Sequence, residues 1–288
     1  MASPNFLRRQ PPPRGGPPPI TAVHTTCEGV WLLQALCGVE TLPSALVLRP
    51  WVSESEPPIG HPGIPTLLEA GVLVDDESVH PTVAGWLETL GAPDIVLAAT
   101  VRRGDSHMRL AVARRGTKHV AASQCGDDVT IEEVPRIRSM RDLVPRILPL
   151  CGPTLHAAQF APITVPSSAL LERLAQVVRG DHTPAKALGS LGLDVDQREI
   201  VMSACDSPLM EASFAVIFHD GQGAHVTKSS AAITDTVKGR IVTGPVRGED
   251  GRWWTEIVPG TADAAARALR SLVATVGGRT WETHNRLK

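Results

Sequence analysis

Residues 93–134, PDIVLAATVRRGDSHMRLAVARRGTKHVAASQCGDDVTIEEV, constrain the fold more than any other stretch of the chain. Apolar and polar residues alternate through four short runs. The breaks fall at Arg103-Gly104-Asp105-Ser106, Arg115-Gly116 and Gly126-Asp127-Asp128. Alternation with a period of two, bounded by Gly and Asp, marks half-buried antiparallel strands joined by tight hairpins, here an up-and-down meander. The pattern returns near the other end as EASFAVIFHD, AHVTKSSAAITDT, GRIVTGPV and GRWWTEIV. Each meander runs into a helix, Ser139–Leu148 in the first case and Thr261–Val276 in the second. The chain therefore reads as two related sheet-plus-helix halves.

Elements between the meanders follow from spacing. Ile20–Thr26 alternates as a first strand, and Glu28–Cys37 places Val30, Trp31, Leu33, Leu36 and Cys37 near one helical face, with Gly38 as the stop. Pro43–Pro65 is broken by prolines that cannot donate backbone hydrogen bonds, so a loop is expected. Ile64–Ala70 is a short helix ended by Gly71, and Val72–Val74 a minimal strand. Pro81–Leu90 is a helix whose Val83, Trp86, Leu87 and Leu90 share an apolar face. Pro145 is expected to kink or shorten the helix after the first meander. Gly152–Pro166 reads as a connector joining the halves. Three helices follow, Ser167–Arg179, Pro184–Leu191 and Val195–Asp206, with Ser167, Thr183 and Asp194 as N-caps. The closing helix puts Ala265, Leu269, Leu272, Val273 and Val276 at helical spacing over one sheet face.

The domain division expected is a Pro-rich extended tail, 1–19, and one α+β domain, 20–288, with halves of about 20–152 and 153–288. A chain of 288 residues buries a core without a metal or disulfide. Its 28 basic and 30 acidic side chains are interspersed, which argues against a nucleic-acid groove or an anionic membrane surface. The tail lacks an apolar core, so no secretory signal is expected. No apolar run approaches the roughly 20 residues that span a bilayer. Five widely spaced Cys, each in apolar or small-residue surroundings, suggest reduced, buried thiols and a cytoplasmic location. Tyrosine is absent, which removes tyrosine-based chemistry.

Catalytic patterns fail one by one. There is no CxxC or HExxH for a metal, and no GxxxxGK. Gly221-Gln222-Gly223 lies between strands as a hairpin turn instead of opening a helix. Ser106-His107 sit on a hairpin tip without a GxSxG elbow, and Glu132-Glu133 point to opposite faces of a strand. His219-Asp220 and Asp181-His182 read as solvated turn residues. Arg102 and Arg115 are expected near each other on an edge, guarding it or pairing with carboxylates, with recognition of an acidic partner as the second reading. No cofactor is called for.

Four stretches carry a family resemblance: EGVWLLQALCGVETLP with LRPWV after it; HPGIPTLLEAGVLVDDESVHPTVAGWLETLGAPDIVL; VARRGTKHVAASQCGDDVTIEEV; and GRIVTGPV with WWTEIVPGTADAAARAL. In this order they resemble the EspG family, cytosolic chaperones of the type VII (ESX) secretion systems. The resemblance implies a mainly antiparallel sheet flanked by helical bundles with a quasi-twofold relation between halves, and a function without catalysis. That function is binding a PE–PPE heterodimer, in a complex of one copy each, by the tip of the PPE subunit, which keeps the pair soluble and marks it for its secretion system. A weak homodimer of the free protein would be compatible. The implied contact region comprises the hairpin tip Arg103, Gly104, Asp105, Ser106 and His107, and the end of the second-half bundle, Val201–Leu209, including Met202, Asp206 and Leu209. Met202, Leu209 and Met210 are the apolar anchors expected there, and the two Met residues read equally as anchors or as core. Two further readings stand beside this one: a small-molecule site or enzyme in the cleft between halves, and a structural part of the secretion complex.

Overall fold

A computed structural model describes residues 20–52, 60–153, 155–277 and 279–287. The tail 1–19 lies outside the described residues. Strand β1 (Ala22–Thr26) leads into helix α1 (Cys27–Cys37), α2 (Ile64–Glu69) and α3 (Pro81–Gly91). The first meander is β2 (Ile95–Arg103), β3 (Ser106–Arg115), β4 (Lys118–Cys125) and β5 (Asp128–Glu133), followed by α4 (Met140–Ile147). The second half runs β6 (Ile163–Pro166), α5 (Ser167–Val178), α6 (Pro184–Gly189), α7 (Val195–Asp206), β7 (Met210–Asp220), β8 (Gly223–Val226), β9 (Ala231–Thr236), β10 (Gly239–Arg247), β11 (Trp253–Pro259) and α8 (Ala262–Ala274).

All strands join one antiparallel sheet in the order β1-β5-β4-β3-β2-β7-β9-β10-β11-β6, with β8 paired to β7 off this path. The halves meet where β2 pairs with β7, from Ile95 opposite Phe218 to Arg102 opposite Glu211. Outward from that junction, each half lays down its meander and ends on the strand that preceded it in the chain. The expected turns hold: Gly104, Gly116 and Gly126 take φ of 52°, 58° and 62°, a region that a residue with Cβ enters at a cost.

The period-two pattern decides what packs where. Ile95, Leu97, Ala99 and Val101 of β2 share a core with Phe214, Val216 and Phe218 of β7 and with α4 and α8. Val96 and Ala98 point to the other face and pack with α1 and α3. Ile241 and Ile257 meet α5, α6 and α7 on that same second face, beyond the junction. The result is three layers: α4 and α8, the sheet, and two helical groups side by side.

α8 comes close to β10 because Gly244 has no side chain; a Cβ there would stand 2.7 Å from Cβ of Ala268. Gly244→Ala is therefore expected to cost about 1–3 kcal/mol by overpacking, read as a lower urea midpoint at unchanged slope. An Ala268→Gly second change should restore part of the loss.

Several expectations are corrected. In α1, Leu32 and Gln34 are buried while Trp31 is half-exposed; Gln34 is accommodated because its amide donates to the carbonyls of Val39 and Glu40. The loop after Pro43 contains a 3-10 turn, Ser44–Leu46, which buries Leu46. Val72–Val74 contributes only an isolated bridge, Leu73 to Val79. The connector Gly152–Pro166 ends in a true strand, β6, which pairs with β11. AHVTKSSAAITDT splits into β8 and β9, both lying on β7, at its Ile217–Asp220 and Met210–Phe214 ends. Ser167 does not cap α5; its hydroxyl meets that of Thr255 at 2.8 Å. Thr183 and Asp194 do cap, Asp194 in a reciprocal box with Gln197. α4 runs on past Pro145 to Ile147 and then tightens into a 3-10 turn, Leu148–Cys151. Arg102 and Arg115 lie at opposite ends of the β2–β3 hairpin, in the middle of the sheet: β2 pairs Arg102 with His107, and β4 pairs Arg115 with Lys118. Among the cysteines only Cys151 is fully buried, Cys27 and Cys37 are partly so, and Cys125 and Cys205 are exposed.

Residues 279–287 form a C-terminal strap that no periodicity announced. Trp281 is 2% exposed, Nε2 of His284 meets the carbonyl of His219 at 2.8 Å, and the backbone N–H of Arg286 donates to Asp94 at 3.1 Å. Asp94 also accepts from Gly116 N–H at 2.7 Å and from Arg114 at 3.4 Å, and Arg114 donates to the His284 carbonyl. Two imidazoles lie beside this network. Burial pulls the pKa of His119 down, with Arg114 and Arg136 adding to the effect against the Thr117 carbonyl. Burial likewise lowers His219, aided by Arg286, His284 and His225 and opposed by Asp94. Both protonate more readily in the unfolded chain, so their contribution is full above about pH 6.5 and is lost as pH falls toward their folded values. Asp220, held at about 2 first by the Gln222 N–H and then by His225, stays ionised throughout that window. The urea midpoint is expected to fall between about pH 7 and pH 5, and less steeply in a His119→Asn/His219→Asn variant.

Candidate partner-binding surface

The β2–β3 hairpin closes with a two-residue turn, Gly104-Asp105, between the paired Arg103 and Ser106. Arg103 through His107 are all exposed. The next pair, Arg102 with His107, is aligned with Glu211 of β7, and Arg102 donates to the Glu211 carboxylate. Glu211 is two residues after Leu209, so the register carries the hairpin tip and the α7–β7 turn to the same end of the sheet. The two candidate groups inferred from separate parts of the sequence are thus neighbours.

Their individual placements differ. Leu209 is 49% exposed while its N–H donates to the Asp235 carbonyl at 2.8 Å, so an apolar side chain is presented from a fixed backbone. Asp206 is exposed at the end of α7, and Met202, one turn earlier, is half-buried against the cluster that holds Ile200 and Val201. Met210 is 1% exposed and belongs to the core, so it is no anchor. Arg103 turns back from the tip: its guanidinium donates to the Cys151 carbonyl and occupies the space a side chain at Gly152 would need. Ser106 and His107 make no side-chain hydrogen bond among the described residues.

Sequence reasoning missed Val237, which is 75% exposed in the β9–β10 turn. Asp235, two residues before it, receives the Leu209 N–H, so Val237 extends the same apolar end. The available signal was an apolar residue inside the Thr236–Gly239 turn, where polar residues are usual. Lys238 pairs with Glu199 and ties that turn to α7. Beneath it, Arg240 holds Asp235 by two hydrogen bonds, of 2.6 and 2.9 Å, with both side chains buried. The surface is therefore small apolar projections on a rigid, internally paired base, with charged groups around it, which suits a protein partner.

Among the described residues no group of three or more His, Cys, Asp or Glu could hold a metal ion. Burial pushes the Cys151 thiol up to about 11, and the Cys37 thiol likewise, far from the thiolate a nucleophile requires. No helix among the described residues is long and apolar enough to cross a membrane.

The described residues form one antiparallel sheet layered between helices, with the hairpin tip and Leu209 exposed at one end. A sequence model of the EspG family matches residues 26–271, and the chain belongs to that family. It is 29% identical over 278 residues to the ESX-2 secretion-associated protein EspG2 of Mycobacterium tuberculosis, covering 91% of this chain and 99% of that one. It is 27% identical over 263 residues to the ESX-3 secretion-associated protein EspG3 of Mycolicibacterium smegmatis, covering 90% and 89%. Among solved structures, the type VII secretion system chaperone EspG5 of Mycobacterium tuberculosis, in complex with the PE25-PPE41 dimer, superposes with a TM-score of 0.82 at 22% identity. That superposition covers 92% of this chain and all of the other. This likeness establishes the sheet-and-bundle fold.

Proposed function

We propose that this protein is a chaperone of a type VII secretion system that binds one PE–PPE heterodimer, keeps it soluble and directs it to its secretion machinery from the cytoplasm. The observation that carries this reading is the convergence of the exposed hairpin tip, Leu209 and the end of α7 at one end of the sheet, in a chain of the EspG family. Gly104, Asp105, Ser106 and His107 supply the polar part of the contact, and Leu209, with Met202 and Asp206 behind it, the apolar and acidic part. Arg103 acts through the turn it braces. The protein works without catalysis: it need only cover an apolar helical tip, and a rigid complementary surface does that. The continuous β2–β7 ladder supports treating 20–288 as one domain in which the halves do not move independently.

Co-expression with the PE–PPE pair encoded beside its gene is the test. A soluble complex of one copy of each chain is expected. PE–PPE pairs that stay insoluble or unbound with this protein, whichever pair is supplied, would overturn the reading.

A further inference from the structure

On the face opposite α5–α7, a cavity of about 390 Å³ lies between α4, α8 and the C-terminal strap. It is lined by Arg141, Arg267, Arg270 and Arg279, set against only two lining acids, Asp263 and Glu282. Arg141 shares Asp263 at 3.3 Å, but both side chains are more than two-thirds exposed, so the pair is worth little in water. Arg267 reaches Glu256 only at 3.9 Å. Arg270 has no ion-pair partner among the described residues. Arg279, also in the lining, is held through Asp220 at 3.3 Å. Between these groups the lining is apolar, with Met140, Ala266 and Val273 buried.

We infer that this cavity is a second docking site, which takes an acidic, partly apolar peptide segment of a protein other than the PE–PPE cargo. The charge sets the sign of the ligand, because Arg270 has no ion-pair partner among the described residues, Arg141 and Arg267 are only loosely paired, and guanidinium groups call for carboxylate oxygens. The apolar lining requires side chains flanking the acid. A dianionic phosphate would be placed against Asp263 and Glu282 without using the apolar surface. Exposed arginines on the rim leave the site open, where a metabolite pocket encloses most of its ligand. The site is on the opposite face of the sheet from α7, so cargo and peptide can be held together, as a chaperone needs if a further protein is to recognise the loaded form.

Arg141 and Arg270 are exposed, and their charge reversal should leave the fold intact. The experiment is selection of phage-displayed random twelve-residue peptides on the full chain, with counter-selection on an Arg141→Glu/Arg270→Glu variant of equal Tm. Enriched peptides should carry two or more Asp or Glu beside Leu, Ile or Phe. The best of them, measured by fluorescence anisotropy, should bind the variant at least tenfold more weakly, while Leu209→Asp leaves its affinity unchanged. Enriched sequences without acidic character, equal binding to the variant, or the absence of any peptide that prefers the unaltered protein would each overturn the proposal. Because PE–PPE binding is assayed separately, failure here leaves the cargo reading standing.

Discussion

Asp94→Ala is expected to destabilise the protein by about 3–5 kcal/mol, the usual cost of removing one partner from a buried ion pair. Asp94 and Arg114 have side-chain exposures of 4% each. The carboxylate serves three donors at once: Arg114, the Gly116 N–H in the β3–β4 turn and the Arg286 N–H in the strap. Its loss strands a guanidinium that burial already disfavours and that Asp94, then Glu282, sustains. It also unties a hairpin and the C-terminus together. For a chain of this length the thermal midpoint should fall by about 10 °C. Urea unfolding followed by tryptophan fluorescence is the direct measure, since Trp281 sits in the strap. A second change, Arg114→Leu, should recover part of the loss by removing the stranded charge. A loss below about 1 kcal/mol would mean that the Asp94 network contributes little and that the strap is held by Trp281 burial and the His284–His219 contact.

The second large effect concerns binding. Leu209→Asp combined with Ser106→Trp puts a charge on the exposed apolar projection and bulk on the hairpin tip. If these residues meet the PPE tip, affinity should fall by at least about thirtyfold, the equivalent of losing one interface anchor of about 2 kcal/mol. Both side chains are exposed to solvent, so Tm should change by no more than about 2 °C. Isothermal titration calorimetry against the purified PE–PPE pair separates these quantities. Unchanged affinity would move the cargo surface elsewhere on the chain.

The strands of the first meander were legible because hairpins at Gly104, Gly116 and Gly126 join them; that helices cover both faces of β2 was not, since Val96 and Ala98 meet α1 and α3, which lie earlier in the chain. α3 itself was legible, its Val83, Trp86, Leu87 and Leu90 all being buried. What escaped depended on partners distant in sequence. β6 is four residues ending in proline and becomes a strand only because β11 offers an edge. Gln34 is buried only because two backbone carbonyls receive its amide. The strap has no pattern of its own; Asp94, Arg114 and His219, which hold it, lie 65 or more positions upstream of the groups they meet. At the candidate surface the turn at Gly104-Asp105 was legible, but the register that sets it beside Leu209 belongs to the β2–β7 ladder between halves. The β2–β3 pairing sets Arg102 opposite His107 and so separates it from Arg115 at the far end of the hairpin. Arg103 turning inward follows from the room left by Gly152, 49 positions away in the chain, which no local rule reports.

The most direct measurement of the central claim is co-purification of this chain with the PE–PPE pair encoded nearest its gene, with the mass of the complex determined by light scattering after size exclusion. A single species containing one copy of each chain, lost with the Leu209→Asp/Ser106→Trp variant, is the predicted result. A stable pair that never associates with this chain, or a complex indifferent to that variant, would contradict the account.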